Sequence, residues 1–252
     1  LPFFHAYGNA VILTALYYGG TLVGVERFQA PVVLRAIAEQ GVTSLSGTPT
    51  MFVALLEEWE RNSYDTSSLC VGDMAGASCP PELVQAVIEK LGATGFSCLY
   101  GSTEVIIASL AGPTRTQEER INHVGTALPG MELRIVKAGT MEEVPPGVEG
   151  ELCVRGQSSM LRYYKMEEET QKAMDDGGWW HSGDMAQIDE VGCCHITGRI
   201  KDLIIRGGEN IGPAEIETFL MTHPKVLEAQ VVGVPSEYYG EDIVAFVRLQ
   251  KG

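Results

Sequence analysis

The chain has 252 residues, 45% of them hydrophobic and 20% charged, enough for one large core or a large domain plus a small one. Its formal net charge of -15, with 18 Lys and Arg against 33 Asp and Glu, excludes nucleic-acid binding as a main role, because neutralising phosphates needs clustered basic side chains. The six cysteines show no C-x-x-C spacing, and Cys193 and Cys194 are adjacent, which is poor geometry for a disulfide or a zinc knuckle. Reduced thiols in a cytoplasmic setting are expected.

No Lys, Arg, Asp or Glu occurs before Glu26. Pro2, Gly8, Asn9 and Gly19-Gly20 interrupt this stretch and a basic leader is missing, so no membrane-spanning segment is expected. It reads instead as a buried helix running into a buried strand at residues 21–25. Helical periodicity then covers residues 31–40, 49–59 and 81–91, alternating with extended apolar runs at 42–45, 69–71 and 97–99. Such alternation predicts an α/β fold with a helix-flanked, mostly parallel sheet over residues 1–120. After a polar stretch at 113–122 the character changes. Short strands at 132–136, 151–154 and 185–188, with turns at Pro129-Gly130 and Pro145-Pro146-Gly147, predict a small antiparallel β subdomain over residues 121–199. Beyond it a strand at 203–205, a Gly-Gly turn, a helix at 213–221 and strands at 229–234 and 243–249 read as the start of a small α+β C-terminal domain over residues 200–252.

Three segments carry chemistry. Tyr100-Gly101-Ser102-Thr103-Glu104 follows a predicted strand and is expected to open a helix, where unpaired backbone N–H groups attract an anion. Thr103 could bond a phosphate, Glu104 could hold a hard cation, and Tyr100 could present its ring to a base; a helix cap and a dipole-compensating Glu remain the alternative. In Gly178-Trp179-Trp180-His181-Ser182-Gly183-Asp184 a carboxylate follows a tight turn and can accept from two vicinal hydroxyls, although Gly-Asp is also a commonplace turn. In Gly198-Arg199-Ile200-Lys201-Asp202, followed by Arg206-Gly207-Gly208, Arg199 brings a fixed fork of donors and the glycines let backbone approach a ligand. A charged linker and a Gly-Gly turn would read the same way.

The joint order of these segments resembles the adenylate-forming superfamily, the AMP-binding enzymes that include acyl- and aryl-CoA ligases, luciferases and peptide-synthetase adenylation domains. Leu1-Pro2-Phe3-Phe4-His5-Ala6-Tyr7-Gly8 is similar to its P-x-x-H-x-x-G segment. Met74-Ala75-Gly76-Ala77-Ser78 resembles its adenine-side loop, and Tyr100-Gly101-Ser102-Thr103-Glu104 its Y-G-x-T-E motif. Gly150-Glu151-Leu152, Trp180-His181-Ser182-Gly183-Asp184 and the Gly-Arg-x-Lys-Asp run from Gly198 complete the series in family order. The string Ile204-Ile205-Arg206-Gly207-Gly208-Glu209-Asn210-Ile211 looks most like fatty acyl-CoA synthetases.

The resemblance implies that Tyr100 stacks on adenine beside Gly76, Ala77 and Ser78, within a loop continued by Gly101 and Ser102. It further implies that Thr103 touches the AMP phosphate, Glu104 binds Mg²⁺, and Asp184 and Arg199 hold the ribose hydroxyls. Lys201 falls at a domain hinge, and Gly207 and Gly208 border the tunnel for the pantetheine of CoA. His5 falls near the acyl carboxylate or, beside Phe3, Phe4 and Tyr7, is a satisfied core histidine. The implied substrates are ATP, CoA and a carboxylic acid, with a fatty acid favoured. Aryl-acid or amino-acid activation for a carrier protein, and a non-catalytic AMP-binding module, are the alternatives.

Two departures accompany the match: no Ser/Thr/Gly-rich loop ending in Pro-Lys, and no lysine in an S/T-G-K context. Both gaps fall at the chain ends, so an internal fragment, inactive alone, is expected. Ser182 replaces the usual Thr, and Arg162-Tyr163 stands where Gly-Tyr is common. Cys193-Cys194-His195 is read as a strand with a polar edge, His123, His181 and His223 as surface or capping residues, and Glu167-Glu168-Glu169 as a solvated helix face.

Overall fold

The computed structural model describes residues 1–112 and 114–249; Pro113, which heads the polar stretch, lies outside them. In chain order the elements are α1 (Ala6–Tyr17), α2 (Ala30–Gln40), β1 (Ser44–Gly47), α3 (Pro49–Asn62), β2 (Val71–Met74), α4 (Pro81–Leu91), β3 (Gly95–Tyr100), β4 (Ser109–Leu110), α5 (Gln117–Asn122) and β5 (Thr126–Ala127). There follow β6 (Met131–Val136), β7 (Gly150–Gly156), α6 (Glu167–Ala173), β8 (Trp180–Ile188), β9 (Cys194–Arg199), β10 (Ile204–Arg206), β11 (Glu209–Ile211), α7 (Pro213–Met221), β12 (Val226–Ser236) and β13 (Gly240–Leu249). The chain divides into two compact units. The first comprises Leu1–Leu133, Val154–Trp180 and Glu190–His195, and the second Arg134–Cys153, His181–Asp189 and the chain from Ile196 onward.

In the first unit α2, α3 and α4 each start with a proline in the first turn, where its missing N–H costs no hydrogen bond. Apolar residues at helical spacing, Leu34 and Ile37, Phe52, Leu55 and Leu56, then Val84, Val87, Ile88 and Leu91, bury one stripe of each helix in a single core with Phe96 of β3. Phe52 and Phe96 meet edge to face, centroids 4.9 Å apart at 81°. Such a pair adds about 0.5–1.5 kcal/mol beyond its burial. Below this core runs a five-stranded sheet in the order β1-β2-β3-β4-β5. The pairs β1–β2 and β2–β3 are parallel, while the two-residue strands β4 and β5 add antiparallel. The register places Gly47 beside Met74 and Met74 beside Cys98, so the three parallel strands end together. Arg120 of α5 is buried and donates to Phe96 O at 3.2 Å and Thr94 O at 2.7 Å, which seats α5 against the start of β3.

The N-terminal stretch departs from expectation. Residues 21–25 form no strand, and α1 buries only Tyr7 and Gly8 while Leu16, Tyr17 and Tyr18 are 70–83% exposed. An uncharged run signals that a segment tolerates burial; which neighbours cover it is not written in its own periodicity. Among the described residues no helix is long and apolar enough to cross a membrane.

In the second unit β10 and β11 form a hairpin whose two-residue loop, Gly207-Gly208, has φ of 62° and 91°. Both central residues of this kind of tight hairpin must be left-handed, which a Cβ disfavours. Strand β13 pairs with β10 and β12, giving the order β11-β10-β13-β12, and α7 packs on β12. Ile204, Ala229 and Val231 are its buried apolar residues. A further four-stranded sheet has the order β6-β7-β8-β9.

Candidate active site

The shared end of β2 and β3 gathers two of the sequence motifs. After Met74 the chain leaves β2 through buried Ala75 into an exposed loop of Gly76, Ala77 and Ser78. One strand over, β3 delivers the nearly buried Tyr100, and Gly101 to Glu104 follow at the same edge. The carboxyl ends of parallel strands are where open α/β sheets bind ligands.

No helix opens here, which corrects the sequence reading. The chain turns back, Ala108 N–H donates to Tyr100 O at 2.9 Å, and Ser109 pairs antiparallel with Tyr100. The apolar run Val105-Ile106-Ile107-Ala108 mimics a helical stripe, but it forms the turn that brings Ser109 and Leu110 back to pair with β3. Only glycine fits at 101, since a Cβ there would stand 2.0 Å from Ile106 O. Donors for an anion are therefore loop amides and hydroxyls, without a helix dipole. Ser102 Oγ accepts from Glu104 N–H at 3.1 Å, Thr103 is exposed, and Tyr163 Oη donates to Glu104 Oε1 at 2.8 Å. Burial first, then this bond to Glu104, pushes the Tyr163 phenol above its ordinary pKa. In the sequence Tyr163 stands out only as a departure from the family pattern; a partner 59 residues away leaves no local signal.

Beside this edge sits a carboxylate that the sequence reading missed. Asp73 of β2 accepts from Ser46 Oγ at 2.9 Å and from the hydroxyl of Tyr7. Burial raises its pKa above the usual carboxylate value, opposed by these two donors. Burial, followed by the charge of Asp73, holds the Tyr7 phenol far above its normal pKa. Tyr7 also packs with Ala75 and Leu99, which ties the first turn of α1 to the strand ends. His5 is the N-cap of α1, its Nδ1 accepting from Tyr7 N–H at 3.2 Å. It is exposed, as are Phe3 and Phe4, so the core-histidine reading does not hold.

In the second unit Asp184 is 7% exposed and receives Arg199 Nε on Oδ1 at 2.9 Å. The turn before it is braced by β7: Ser182 Oγ donates to Leu152 O at 2.6 Å and accepts from Asp184 N–H at 3.0 Å, and Gly183 N–H donates to Glu151 Oε1 at 3.1 Å. The Ser at 182 thus uses its hydroxyl as donor and acceptor together. Lys201 is exposed in a 3₁₀ turn, Ile200–Asp202. Gly207 and Gly208 are exposed at the hairpin tip, where Gly207 N–H donates to Tyr239 O at 2.9 Å and Arg206 stacks 3.8 Å above the Tyr239 ring. His181 is only 17% exposed at its side chain, beside Glu151, which corrects its reading as a surface residue. His195 bonds the Asn122 carbonyl at 2.8 Å through Nδ1. A groove of about 350 Å³ lined by Pro81, Gln85, Gln117 and Ile121 contains none of the motif residues.

The family model described as AMP-binding enzyme matches residues 1–164, and that of the AMP-binding enzyme C-terminal domain matches residues 215–252. The chain belongs to the AMP-binding enzymes. Human medium-chain acyl-CoA ligase ACSF2, mitochondrial, is 43% identical over 256 residues, covering 100% of this chain and 41% of its own length. The ATP-bound crystal structure of MatB from Rhodopseudomonas palustris aligns with TM-score 0.92 at 31% identity, covering 100% of this chain and 49% of that one. O-succinylbenzoate CoA synthetase from Bacillus subtilis, in complex with its acyl-adenylate intermediate, aligns with TM-score 0.84 at 32% identity, covering 100% of this chain and 50% of that one. The chain therefore spans half or less of the length of these relatives.

Proposed function

We propose that this chain carries the nucleotide-binding centre of an ATP-dependent acyl-CoA ligase. The observation that carries the reading is the meeting of the Gly76-Ala77-Ser78 loop with Tyr100 to Glu104 at one end of the parallel strands. In the reaction a substrate carboxylate oxygen attacks the α-phosphorus of ATP, giving an acyl-adenylate and releasing pyrophosphate. The thiol of CoA then attacks the acyl carbonyl and AMP leaves. Both steps demand positioning and charge neutralisation more than a protein nucleophile.

On this reading Tyr100 stacks on adenine beside Gly76, Ala77 and Ser78, while Gly101 and Ser102 shape the loop. Thr103 donates to the phosphate, and His5 stands by the acyl carboxylate. Asp184 and Arg199 take the ribose hydroxyls. A small C-terminal domain, residues 200–252, hinges near Lys201 on a larger one made of residues 1–120 and 121–199, and Gly207 and Gly208 flank the pantetheine of CoA. The donors around Glu104, a half-exposed carboxylate flanked by Ser and Thr hydroxyls, are hard oxygens. They suit Mg²⁺, which takes one or two carboxylates and completes its shell with water and phosphate oxygens. When bound, Mg²⁺ would offset phosphate charge; Tyr163 orients the Glu104 carboxylate for it.

A fatty acid of short to medium length is the proposed substrate, supported by the string from Ile204 to Ile211 and by the ACSF2 relative, whose name specifies medium-chain acids. Aryl acids form the second reading, favoured by the likeness to o-succinylbenzoate CoA synthetase. Carboxylate-dependent ATP–pyrophosphate exchange by the full-length gene product, across fatty, aryl and amino acids, decides between them. Exchange with amino acids alone would refute the ligase reading; exchange with none would leave an AMP-binding module. The 252-residue chain by itself is expected to give no exchange, since it contains neither the Pro-Lys loop nor the S/T-G-K lysine. A cytoplasmic location belongs to the same proposal, supported by six cysteines with no C-x-x-C spacing. Because ACSF2 is named mitochondrial, imaging the tagged gene product is the test.

A further inference from the structure

We propose that Glu151, Cys153 and His181 form a transition-metal site of the zinc class, separate from the nucleotide residues. Glu151 and Cys153 stand two apart on β7, so the period of two turns both to one face of the sheet. On β8, His181 brings its Nδ1 to 3.2 Å from Glu151 Oε2 and 3.5 Å from Cys153 Sγ, and the three ligand atoms all lie within 4.8 Å of one another. One ring nitrogen faces both partners. A proton-relay triad would use the two nitrogens separately, one toward the nucleophile and one toward the carboxylate. Atoms converging on a common point are what a chelate needs. With metal bonds of 2.0–2.3 Å, tetrahedral ligands stand about 3.3–3.8 Å apart, close to the two spacings at His181 Nδ1.

The surroundings fit the same chemistry. Cys153 is fully buried and Glu151 is 7% exposed, while the imidazole keeps an exposed edge. The second oxygen of Glu151 is held by Gly183 N–H at 3.1 Å, which leaves Oε2 directed at the histidine, as an outer-shell bond does for a metal-bound carboxylate. A sulfur, a nitrogen and one oxygen select zinc-like ions over magnesium, and three protein ligands leave a fourth position for water. An ion here would clamp β7 to β8, the strand that carries Asp184.

The test titrates the metal-free 252-residue chain with Co²⁺ and then displaces it with Zn²⁺. One equivalent is expected to bind with a thiolate-to-cobalt charge-transfer band and tetrahedral visible absorption, bleached by Zn²⁺. Binding strengthens as pH rises, because the thiol and imidazole must first lose their protons. Cys153→Ser abolishes the band. His181→Gln, at a partly exposed position that folding tolerates better, weakens binding by more than about tenfold. Cys70→Ser, at an exposed cysteine, changes neither. No charge-transfer band in the unaltered chain overturns the proposal, as does a band that survives Cys153→Ser or vanishes with Cys70→Ser. If Cys153→Ser does not fold, unchanged affinity in His181→Gln overturns it equally.

Discussion

Tyr7→Phe removes one hydroxyl, and its cost depends on pH. That hydroxyl donates to the half-buried Asp73 carboxylate and, at 3.0 Å, to the Asp73 main-chain oxygen. Burial pushes the Asp73 carboxyl above its ordinary 3.8, while the bonds from Tyr7 and Ser46 pull it back. Without the Tyr7 donor the folded-state pKa climbs further. Above the unfolded value the unfolded chain is ionised, whereas the folded chain must hold a poorly partnered charge. Stability of the variant therefore falls as pH rises from the unfolded pKa through the folded one, and levels off beyond it. At about pH 7 the lost bond to a charged group amounts to about 1.5–3 kcal/mol, and with Asp73 protonated the loss shrinks to about 0.5–1.5 kcal/mol. At neutral pH that corresponds to a melting-temperature drop of roughly 3–12 °C.

The three tryptophans, Trp59, Trp179 and Trp180, all lie in the first unit, so urea unfolding followed by tryptophan fluorescence reports on it directly. Runs at about pH 7 and about pH 4.5, on Tyr7→Phe with and without Asp73→Asn, separate the charge-dependent part. Equal destabilisation at both pH values would refute the reasoning. So would a pH dependence that persists when Asp73 is Asn.

Gly101→Ala places its methyl 2.0 Å from Ile106 O, a backbone atom with no freedom to swing away, and is expected to cost at least about 1–3 kcal/mol of stability in the same unfolding assay. An unchanged midpoint would mean that the loop relaxes freely. Asp184→Asn exchanges a charged acceptor for a neutral one beside Arg199, and AMP binding by the full-length gene product, measured by calorimetry, is expected to weaken about tenfold. Unaltered affinity with intact circular dichroism would remove Asp184 from the ribose role.

The core helices were legible because their information is local. Pro31, Pro49 and Pro81 open α2, α3 and α4, and the apolar spacing of Leu34, Phe52 and Val87 announces the buried stripe without reference to distant residues. The three short parallel strands could be inferred from the helices between them, although β1 and β2 lie two residues later than their apolar runs suggested. The ordered motifs sufficed to name the family, whose models match residues 1–164 and 215–252.

Tertiary structure alone decided the rest. Val105 to Ala108 has a helical look and yet forms the turn that returns Ser109 and Leu110 to β3, because the backbone partners offered there outweigh a weak local preference. The uncharged first turns of α1 did not foretell that Leu16 and Tyr17 face outward. Asp73 with Tyr7, Glu104 with Tyr163, and His181 with Glu151 and Cys153 join residues 28 to 66 positions apart. Pattern along the chain records each residue's own preference for burial or for a turn. Which carboxylate a hydroxyl or imidazole reaches depends on strand register and packing, and only the folded chain sets those.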